Sequence, residues 1–448
     1  MKSSIYNIFS EQDDGSVLVF NSLWGTLVKM DRDNYITYNR LLDTGFAEHE
    51  SDPLTSDFVR QIKKGGLIVE DTADELDYLK RRFDAAKSSL SILKLEIVPT
   101  SSCNFSCQYC YYADNSTSYM TEEVQDALVE FVKERALNRK YLNIIWTGGE
   151  PTLAPQIIIN LSRRFMEISD KYGMNYGSSI FTNGYLLDKT MAKDFIEHNV
   201  KIAQFVIDGF GKVHDERRPL VNGKGTFDVI MKNVKDVSDI MDAAIRVNLD
   251  RTNANPENIS LMLDAFDRYK LPKSVTVELA QVMPYTTLCT DFVKAHGLNK
   301  IEYAQKLSEL FPLIEERGYA TKSVPAPSFA ASPCTANSSF GISSEGDIYR
   351  CFLIIGDKRE CLGNLLDMKN SIENCVNYTK WDTWSPFARK ECCECAILPI
   401  CMGGEGCPFI DVAVDKHLRD GIRCSPLKFN IRDIMNLTYR QRSNINAV

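Results

Sequence analysis

Between residues 91 and 282 the apolar positions follow two rhythms. Short, mostly apolar runs at 91–98, 142–146, 179–182, 202–208, 244–250 and 274–282 read as strands. Stretches with helical spacing lie between them, at 121–137, 157–172, 188–198, 226–241 and 257–269. Thr121 stands where an N-cap belongs, with Glu122 and Glu123 in the first turn, where the helix dipole favours carboxylates. Six strands joined by helices predict a parallel sheet with right-handed crossovers. The fold expected is α/β, a partial (β/α)6 TIM-like barrel over residues 91–320, with its site at the C-terminal strand ends.

The flanks differ. In residues 1–90, strands at 16–20 and 25–30 surround a predicted hairpin turn at 21–24. Helical spacing at 33–43 and 56–64 is stopped by Gly65-Gly66, and residues 67–69 return as a strand. This pattern predicts a small winged-helix-like module. Residues 321–448 form a third segment, rich in cysteine, glycine and proline, with short strands at 340–343 and 347–352 and a C-terminal helix. Its apolar periodicity is too weak for a core of its own, so metal ligation is expected to supply stability.

Charge and composition narrow the function. The 448 residues carry 52 basic and 60 acidic side chains, a net charge of −8, with no basic stripe of the kind a nucleic-acid binder displays. Residues 1–90 hold 11 basic and 16 acidic residues, a net −5, which favours a peptide over DNA as that module's partner. No apolar run approaches the ~20 residues of a membrane helix. Residues 1–16 lack the apolar core of a secretion signal, so a cytoplasmic location is expected.

The 14 cysteines are unevenly placed. Cys103, Cys107 and Cys110 sit in one short loop, ten more lie from Cys334 to Cys424, and Cys289 stands apart. Clustered cysteines in such a chain point to metal or redox chemistry. Cys103-Asn-Phe-Ser-Cys107-Gln-Tyr-Cys110 follows the first strand directly. Three thiolates on one loop suit three corners of a [4Fe–4S] cube; zinc is the alternative, but a structural zinc wants a fourth ligand.

This CxxxCxxC motif, with Tyr109 before its third cysteine, resembles the radical S-adenosylmethionine (SAM) superfamily. Further segments resemble that family in order: Gly148-Gly149-Glu150-Pro151 after the second strand, Thr182-Asn183-Gly184 after the third, Asp208-Gly209 after the fourth, and His214-Asp215-Glu216-Arg217-Arg218 beyond it. The resemblance implies a cluster on Cys103, Cys107 and Cys110. It implies SAM contacts among Tyr109, Gly148, Gly149, Glu150, Asn183, Asp208, Arg218 and Arg246, with Arg218 on the SAM carboxylate. Asn248 on the fifth strand is a further candidate. His214 reads as a structural hydrogen-bond partner.

The later cysteines are similar to the SPASM domain of peptide-modifying radical SAM enzymes. That likeness implies two auxiliary [4Fe–4S] clusters, hence three in all. Cys392, Cys395, Cys401 and Cys424 would hold the outer one, and Cys334, Cys351 and Cys407 the inner one. Five residues separate Cys401 from Cys407, where relatives have three. The fourth inner ligand is left open among Cys361, Cys375, Cys393 and an exchangeable site. With the N-terminal module, the architecture resembles maturases of ribosomally made peptides. The expected partners are a precursor peptide with its leader and a flavodoxin- or ferredoxin-type reductant. The expected product is a thioether or carbon–carbon crosslink. Two alternatives stand: an anaerobic sulfatase-maturing enzyme that makes formylglycine, and a non-enzymatic iron–sulfur or zinc scaffold.

Overall fold

The computed structural model describes residues 1–44, 53–112, 117–285, 287–321, 326–327, 336–367, 372–404 and 424–445. In the first segment, β1 (Lys2–Ser3), β2 (Asn7–Glu11), β3 (Val17–Asn21) and β4 (Thr26–Met30) precede α1 (Arg32–Thr44), α2 (Pro53–Lys64), β5 (Ile68–Val69) and α3 (Glu75–Ser88). Strands β2, β3 and β4 form an antiparallel meander, and β1 pairs with β5. The predicted hairpin is thus the second half of a three-stranded sheet. Sequence reasoning missed β1, β2 and α3. The spacing of Leu76, Leu79 and Phe83 does carry an i, i+3, i+7 helical signal, and Asp74 caps α3 by accepting from Asp77 N at 2.9 Å.

The central sheet follows the predicted rhythm. Its strands are β6 (Ile92–Ile97), β7 (Tyr141–Trp146), β8 (Asn175–Thr182), β9 (Val200–Val206), β10 (Asp242–Leu249) and β11 (Thr276–Gln281), paired in parallel and in chain order. Between them run α4 (Glu122–Arg135), α5 (Pro155–Tyr172), α6 (Lys189–Glu197), α7 (Lys212–Arg217), α8 (Phe227–Val237) and α9 (Pro256–Arg268). On β6, Leu93, Leu95 and Ile97 are fully buried in the main core, whereas Lys94 and Glu96 on the other face form an ion pair at 3.0 Å. Thr121 caps α4 as expected, accepting from Val124 N. Beyond β11 come α10 (Thr287–His296) and α11 (Lys300–Glu316), which sequence reasoning left as unassigned chain.

The cysteine-rich segment does not build a separate sheet. β12 (Ser339–Ile342) pairs in parallel with β6, and β13 (Asp347–Tyr349) and β14 (Gly363–Asn364) extend the same sheet antiparallel. Phe340, Ile342 and Ile348 join the main core, which is how a stretch with weak periodicity stays folded. Then follow α12 (Val376–Asp382), α13 (Lys390–Cys393), α14 (Leu398–Cys401) and a last helix, Leu427–Ile445. Among the described residues no helix is long and apolar enough to cross a membrane.

The first segment packs on the cysteine-rich one. Tyr6, Leu23, Leu79 and Phe83 form one buried cluster with Leu398 and Met402. Phe83 meets Phe387 edge-on at 5.6 Å, Ser22 Oγ donates to the Ala396 carbonyl, and Lys87 Nζ donates to the Trp384 carbonyl at 3.0 Å.

Candidate active site

An open cavity of about 220 Å³ lies at the C-terminal ends of the parallel strands. Cys103, Cys107 and Cys110 line it, on the loop that follows β6. Burial pushes the Cys103 thiol up to about 12 and the Cys107 thiol up to about 11, with the Arg218 charge pulling the latter down. Such thiols stay protonated near neutral pH by themselves, and a bound metal releases their protons. Among the described residues, no three His, Cys, Asp or Glu side chains lie close enough to share one metal ion. A cube makes a different demand, because each thiolate binds its own iron.

The glycine pair holds this loop from below. A Cβ on Gly149 would lie 2.3 Å from the carbonyl oxygens of both Ser101 and Ser102. On Gly148, at φ +126°, it would lie 2.6 Å from Val98 Cγ1. Gly149 N and Glu150 N donate to Thr100 O and Ser102 O at 3.3 and 2.8 Å. The close approach that requires glycine is therefore to the residues leading into Cys103, rather than to a ligand alone. Both glycines also line the cavity.

Glu150 is 1% exposed and fully engaged. Its Oε1 accepts from Thr152 N, Thr152 Oγ1 and Thr182 Oγ1 at 3.0, 2.5 and 2.6 Å, and its Oε2 from Asn183 N at 2.7 Å. Burial raises its carboxyl above the usual range, against the pull of these donors. Glu150 thus ties the segment after β7 to the one after β8. Asn183 Nδ2 continues the link, donating to Asn104 Oδ1 in the cysteine loop at 2.7 Å.

The two arginines after α7's start have separate partners. Arg217 donates to Asp250 Oδ2 at 2.6 Å, to Asp208 Oδ2 at 3.4 Å and to the Asn248 carbonyl at 3.0 Å. Arg218 lines the cavity, is 7% exposed, and donates through Nη1 to Tyr109 Oη at 2.8 Å. Its Nε is buried without a partner. Burial opposes its charge, but Cys107, Tyr109 and Asp208 hold its pKa well above the ordinary value. An orphaned guanidinium N–H in a cavity wall fits an incoming carboxylate.

Tyr109 is a hub behind this arginine. Its hydroxyl donates to Asp208 and accepts from Arg218 and, at 3.3 Å, from Asn248 Nδ2. Asp208, expected as a cofactor contact, is fully buried and absent from the cavity wall; its carboxylate holds Tyr109, Arg217 and Asn248 N instead. Arg246 and Asn248 do line the cavity, joined by a 3.0 Å bond from Arg246 Nε to Asn248 Oδ1. His214 accepts from Asp208 N and pairs with Thr226 Oγ1, and burial lowers its pKa to about 3, so it stays neutral.

Part of the cavity lining is apolar and aromatic: Tyr111, Tyr112, Met283, Tyr285, Phe352 and Leu353. Tyr111 meets Tyr285 and Phe352 edge-on at 5.7 and 6.5 Å. Sequence reasoning missed this wall. Its signal was adjacency, since Tyr111-Tyr112 follow Cys110 and Phe352-Leu353 follow Cys351.

The later cysteines fall into two places. Burial raises the Cys392 thiol, with Cys424 and Cys395 near enough for their charges to add to the effect. Burial likewise pushes Cys401 up to about 12, with Cys395 and Cys392 adding to it. These four are the expected outer set, drawn from α13, the turn after it, α14 and the bend that precedes the last helix. Cys351 is buried beside β13, and Cys361 packs on the same small core. Cys334 and Cys407 lie outside the described residues. Of the other candidates, Cys375 Sγ faces the Cys361 carbonyl at 3.8 Å, while Cys393 Sγ donates to Phe387 O at 3.4 Å, on the outer side.

Residues 97–266 match the Radical SAM superfamily. This chain carries a radical SAM domain. A cysteine-type anaerobic sulfatase-maturating enzyme of Clostridium novyi (strain NT) is 28% identical over 342 residues, 68% of this chain and 88% of its own. The radical SAM cyclopropyl synthase TigE of Paramaledivibacter caminithermalis is 22% identical over 437 residues, 88% of this chain and 87% of its own. Among solved structures, Streptococcus suis SuiB bound to precursor peptide SuiA superposes with a TM-score of 0.55 at 15% identity, covering 95% of this chain and 99% of that one. Native anSMEcpe with bound AdoMet and the Cp18Cys peptide gives 0.59 at 20% identity, covering 80% and 99%. The chain therefore has the α/β fold of radical SAM enzymes, whose family chemistry uses a [4Fe–4S] cluster and SAM.

Proposed function

We propose that this radical SAM enzyme modifies a ribosomally made precursor peptide, installing a thioether or carbon–carbon crosslink. The observation that carries the reading is the cavity itself. Three cysteines, an arginine with a free N–H and a group of apolar and aromatic side chains line one cavity. Cys103, Cys107 and Cys110 would hold the cluster, and Arg218 would hold the SAM carboxylate. Bound there, cluster and SAM supply reductive cleavage of SAM to a hydrogen-abstracting 5′-deoxyadenosyl radical.

The chain's own residues do the rest. Glu150 and Asn183 fix the cysteine loop, Tyr109 and Asp208 fix Arg218, and the aromatic wall excludes water and orients the target carbon. Cys392, Cys395, Cys401 and Cys424 would hold the outer auxiliary cluster. Cys334, Cys351 and Cys407 would hold the inner one, with Cys361 the best-placed fourth ligand. An external flavodoxin- or ferredoxin-type protein would supply the electron.

The leader would pair as an added strand with residues 1–90. β4 suits this role, because its far edge pairs with no described strand, whereas β2 faces the last helix, with Arg432 Nε donating to the Phe9 carbonyl at 2.9 Å. The breadth of the TigE and SuiB alignments, which take in most of the chain, favours this reading over sulfatase maturation. The test is anaerobic reconstitution with reductant, SAM and a cysteine-containing peptide encoded beside the gene. The expected product has lost two hydrogen atoms per crosslink. Formylglycine in a sulfatase peptide, or no SAM cleavage, overturns the proposal.

A further inference from the structure

The guanidinium groups of Arg218 and Arg246 both line the cavity, and SAM brings a single carboxylate. Arg246 sits on β10, where Ile245, Val247 and Leu249 are fully buried in the main core. The alternate positions Arg246 and Asn248 face the other side of the sheet, the side that carries the cavity. Arg246 Nε donates to Asn248 Oδ1 at 3.0 Å, Asn248 Nδ2 to Tyr109 Oη at 3.3 Å, and Arg218 Nη1 to the same Tyr109 Oη at 2.8 Å. The two arginines thus stand at the ends of one hydrogen-bonded string. The bond from Nε fixes the plane of Arg246 and leaves its two terminal amino groups as a fork. The carboxylates of the strand ends are engaged elsewhere. Glu278, opposite Arg246 in the β10–β11 register, accepts from Gln204 Nε2 at 3.1 Å. Glu96 pairs with Lys94, and Glu150 is held by Thr152, Thr182 and Asn183. Among the described residues no carboxylate forms an ion pair with Arg246. Burial pushes the Tyr111 hydroxyl up and the Arg246 charge pulls it back, so this cation is felt at the aromatic group that Tyr111 forms with Tyr285 and Phe352.

We propose that Arg246 binds a carboxylate of the precursor peptide, an Asp or Glu side chain or the C-terminus close to the carbon that loses hydrogen, and so selects where along the peptide the reaction falls. This rests on the proposed function and names the substrate chemistry that its cavity selects. The family resemblance counts Arg246 among the SAM contacts. With Arg218 on the SAM carboxylate, however, SAM offers no second anion: its amino group and sulfonium are cationic, and its adenosine is neutral. A guanidinium fork gains most from a planar anion, which it holds through two parallel N–H···O bonds. Because Arg246 stands on a strand rather than a loop, an anchored carboxylate sets the register of the peptide against the cavity. A peptide without an acid at that position would cover Arg246 and leave its charge unpaired, which is how one arginine discriminates between sites.

The test uses the full chain with its clusters reconstituted and the precursor peptide encoded beside the gene. With the parent protein, each Asp and Glu in the modified region of the peptide is changed in turn to Asn or Gln, and a separate peptide carries an amidated C-terminus. One of these changes should raise the peptide KM roughly ten- to a hundredfold, and which one it is tells a side chain from the chain end. Arg246→Gln should raise the KM of the unaltered peptide by a like factor, and combining it with that peptide change should cost little more. Arg246→Lys keeps the charge without the fork and should fall between. In a SAM titration Arg246→Gln should bind with the parent affinity, unlike Arg218→Ala. A tenfold loss of SAM affinity in Arg246→Gln would make this residue a SAM contact and overturn the proposal. So would a parent-like peptide KM in that variant. The peptide scan needs no altered protein and decides the matter even where Arg246→Gln does not fold: a modified peptide whose KM ignores every carboxylate overturns this inference alone. A parent protein that cleaves SAM but modifies no peptide overturns the proposed function and this inference with it.

Discussion

At the scale of single residues, the two adjacent arginines make opposite predictions. Arg218 has a buried, unpartnered Nε in the cavity wall. Losing a charge-assisted hydrogen bond to a carboxylate costs about 1.5–3 kcal/mol, or roughly ten- to a hundredfold in affinity. Arg218→Ala should weaken SAM binding by that factor in anaerobic titration, with iron content unchanged. In the sequence only the family resemblance sets Arg218 apart from Arg217. The structure separates them, because Arg217 is ion-paired with Asp208 and Asp250. Breaking a buried pair by removing one partner costs about 3–5 kcal/mol, so Arg217→Ala should lower the Tm markedly; an unchanged Tm would sink this assignment. His214 gives a pH test. Burial lowers its folded pKa to about 3 from an ordinary 6.5. The unfolded chain therefore binds the extra proton first as pH falls below about 6.5, and stability is lost progressively down to about pH 3. His214→Asn should flatten that part of the stability profile, read by denaturant titration at each pH against the parent.

At the scale of elements, the parallel strands were legible because each is a short apolar run bounded by a helix of clear period, as β6 and α4 illustrate. The gaps have physical causes. β2 is five residues of mixed polarity, and β12 shows its purpose only through its pairing with β6, a contact across more than two hundred residues. The site was legible as motifs but not as geometry: Cys103, Cys107, Cys110 and Arg218 line the cavity, whereas Asp208 stands behind Tyr109. The glycine pair carries the clearest element-level prediction. Gly149→Ala drives a Cβ into two backbone carbonyls that lead into Cys103 and cannot swing aside. It should abolish SAM cleavage and cost the SAM-binding cluster, about four of roughly twelve irons, measured by iron analysis. Gly173→Ala is the comparison. That residue ends α5 at φ +67° with nothing within 4 Å of an added Cβ, so it should cost about 1 kcal/mol of stability and leave iron unchanged.

At the scale of the whole molecule, composition suggested that residues 1–90 are a separable module, and the packing changes what their removal would do. Charge and spacing reveal that a segment differs from its neighbours; they do not reveal what it leans on. Here Leu79 and Phe83 of α3 are completely buried against Leu398 and Met402, beside Cys392 and Cys401. Burying a side chain of that size stabilises by roughly 1.5–3 kcal/mol, and both lose their partners when the segment is cut away. The segment from Trp384 to Met402 would then expose an apolar face and lose the bonds from Ser22 and Lys87. By contrast, the wall of the cavity that holds Cys103, Cys107 and Cys110 draws on no described residue from 1–90. A chain lacking residues 1–90 should therefore keep reductive SAM cleavage, lose about four irons from the outer auxiliary site, and fail to modify the precursor peptide. A protein that lost peptide modification but kept its full iron content would show that the first segment serves recognition alone. One that kept both would remove the leader from the proposed function. Because truncation disturbs two things at once, the discriminating partner experiment is Lys29→Pro on β4, whose side chain is exposed and whose contacts lie away from the cysteines. If the leader pairs along that edge, the substitution should weaken leader binding in a direct titration while iron content and SAM cleavage stay at parent values.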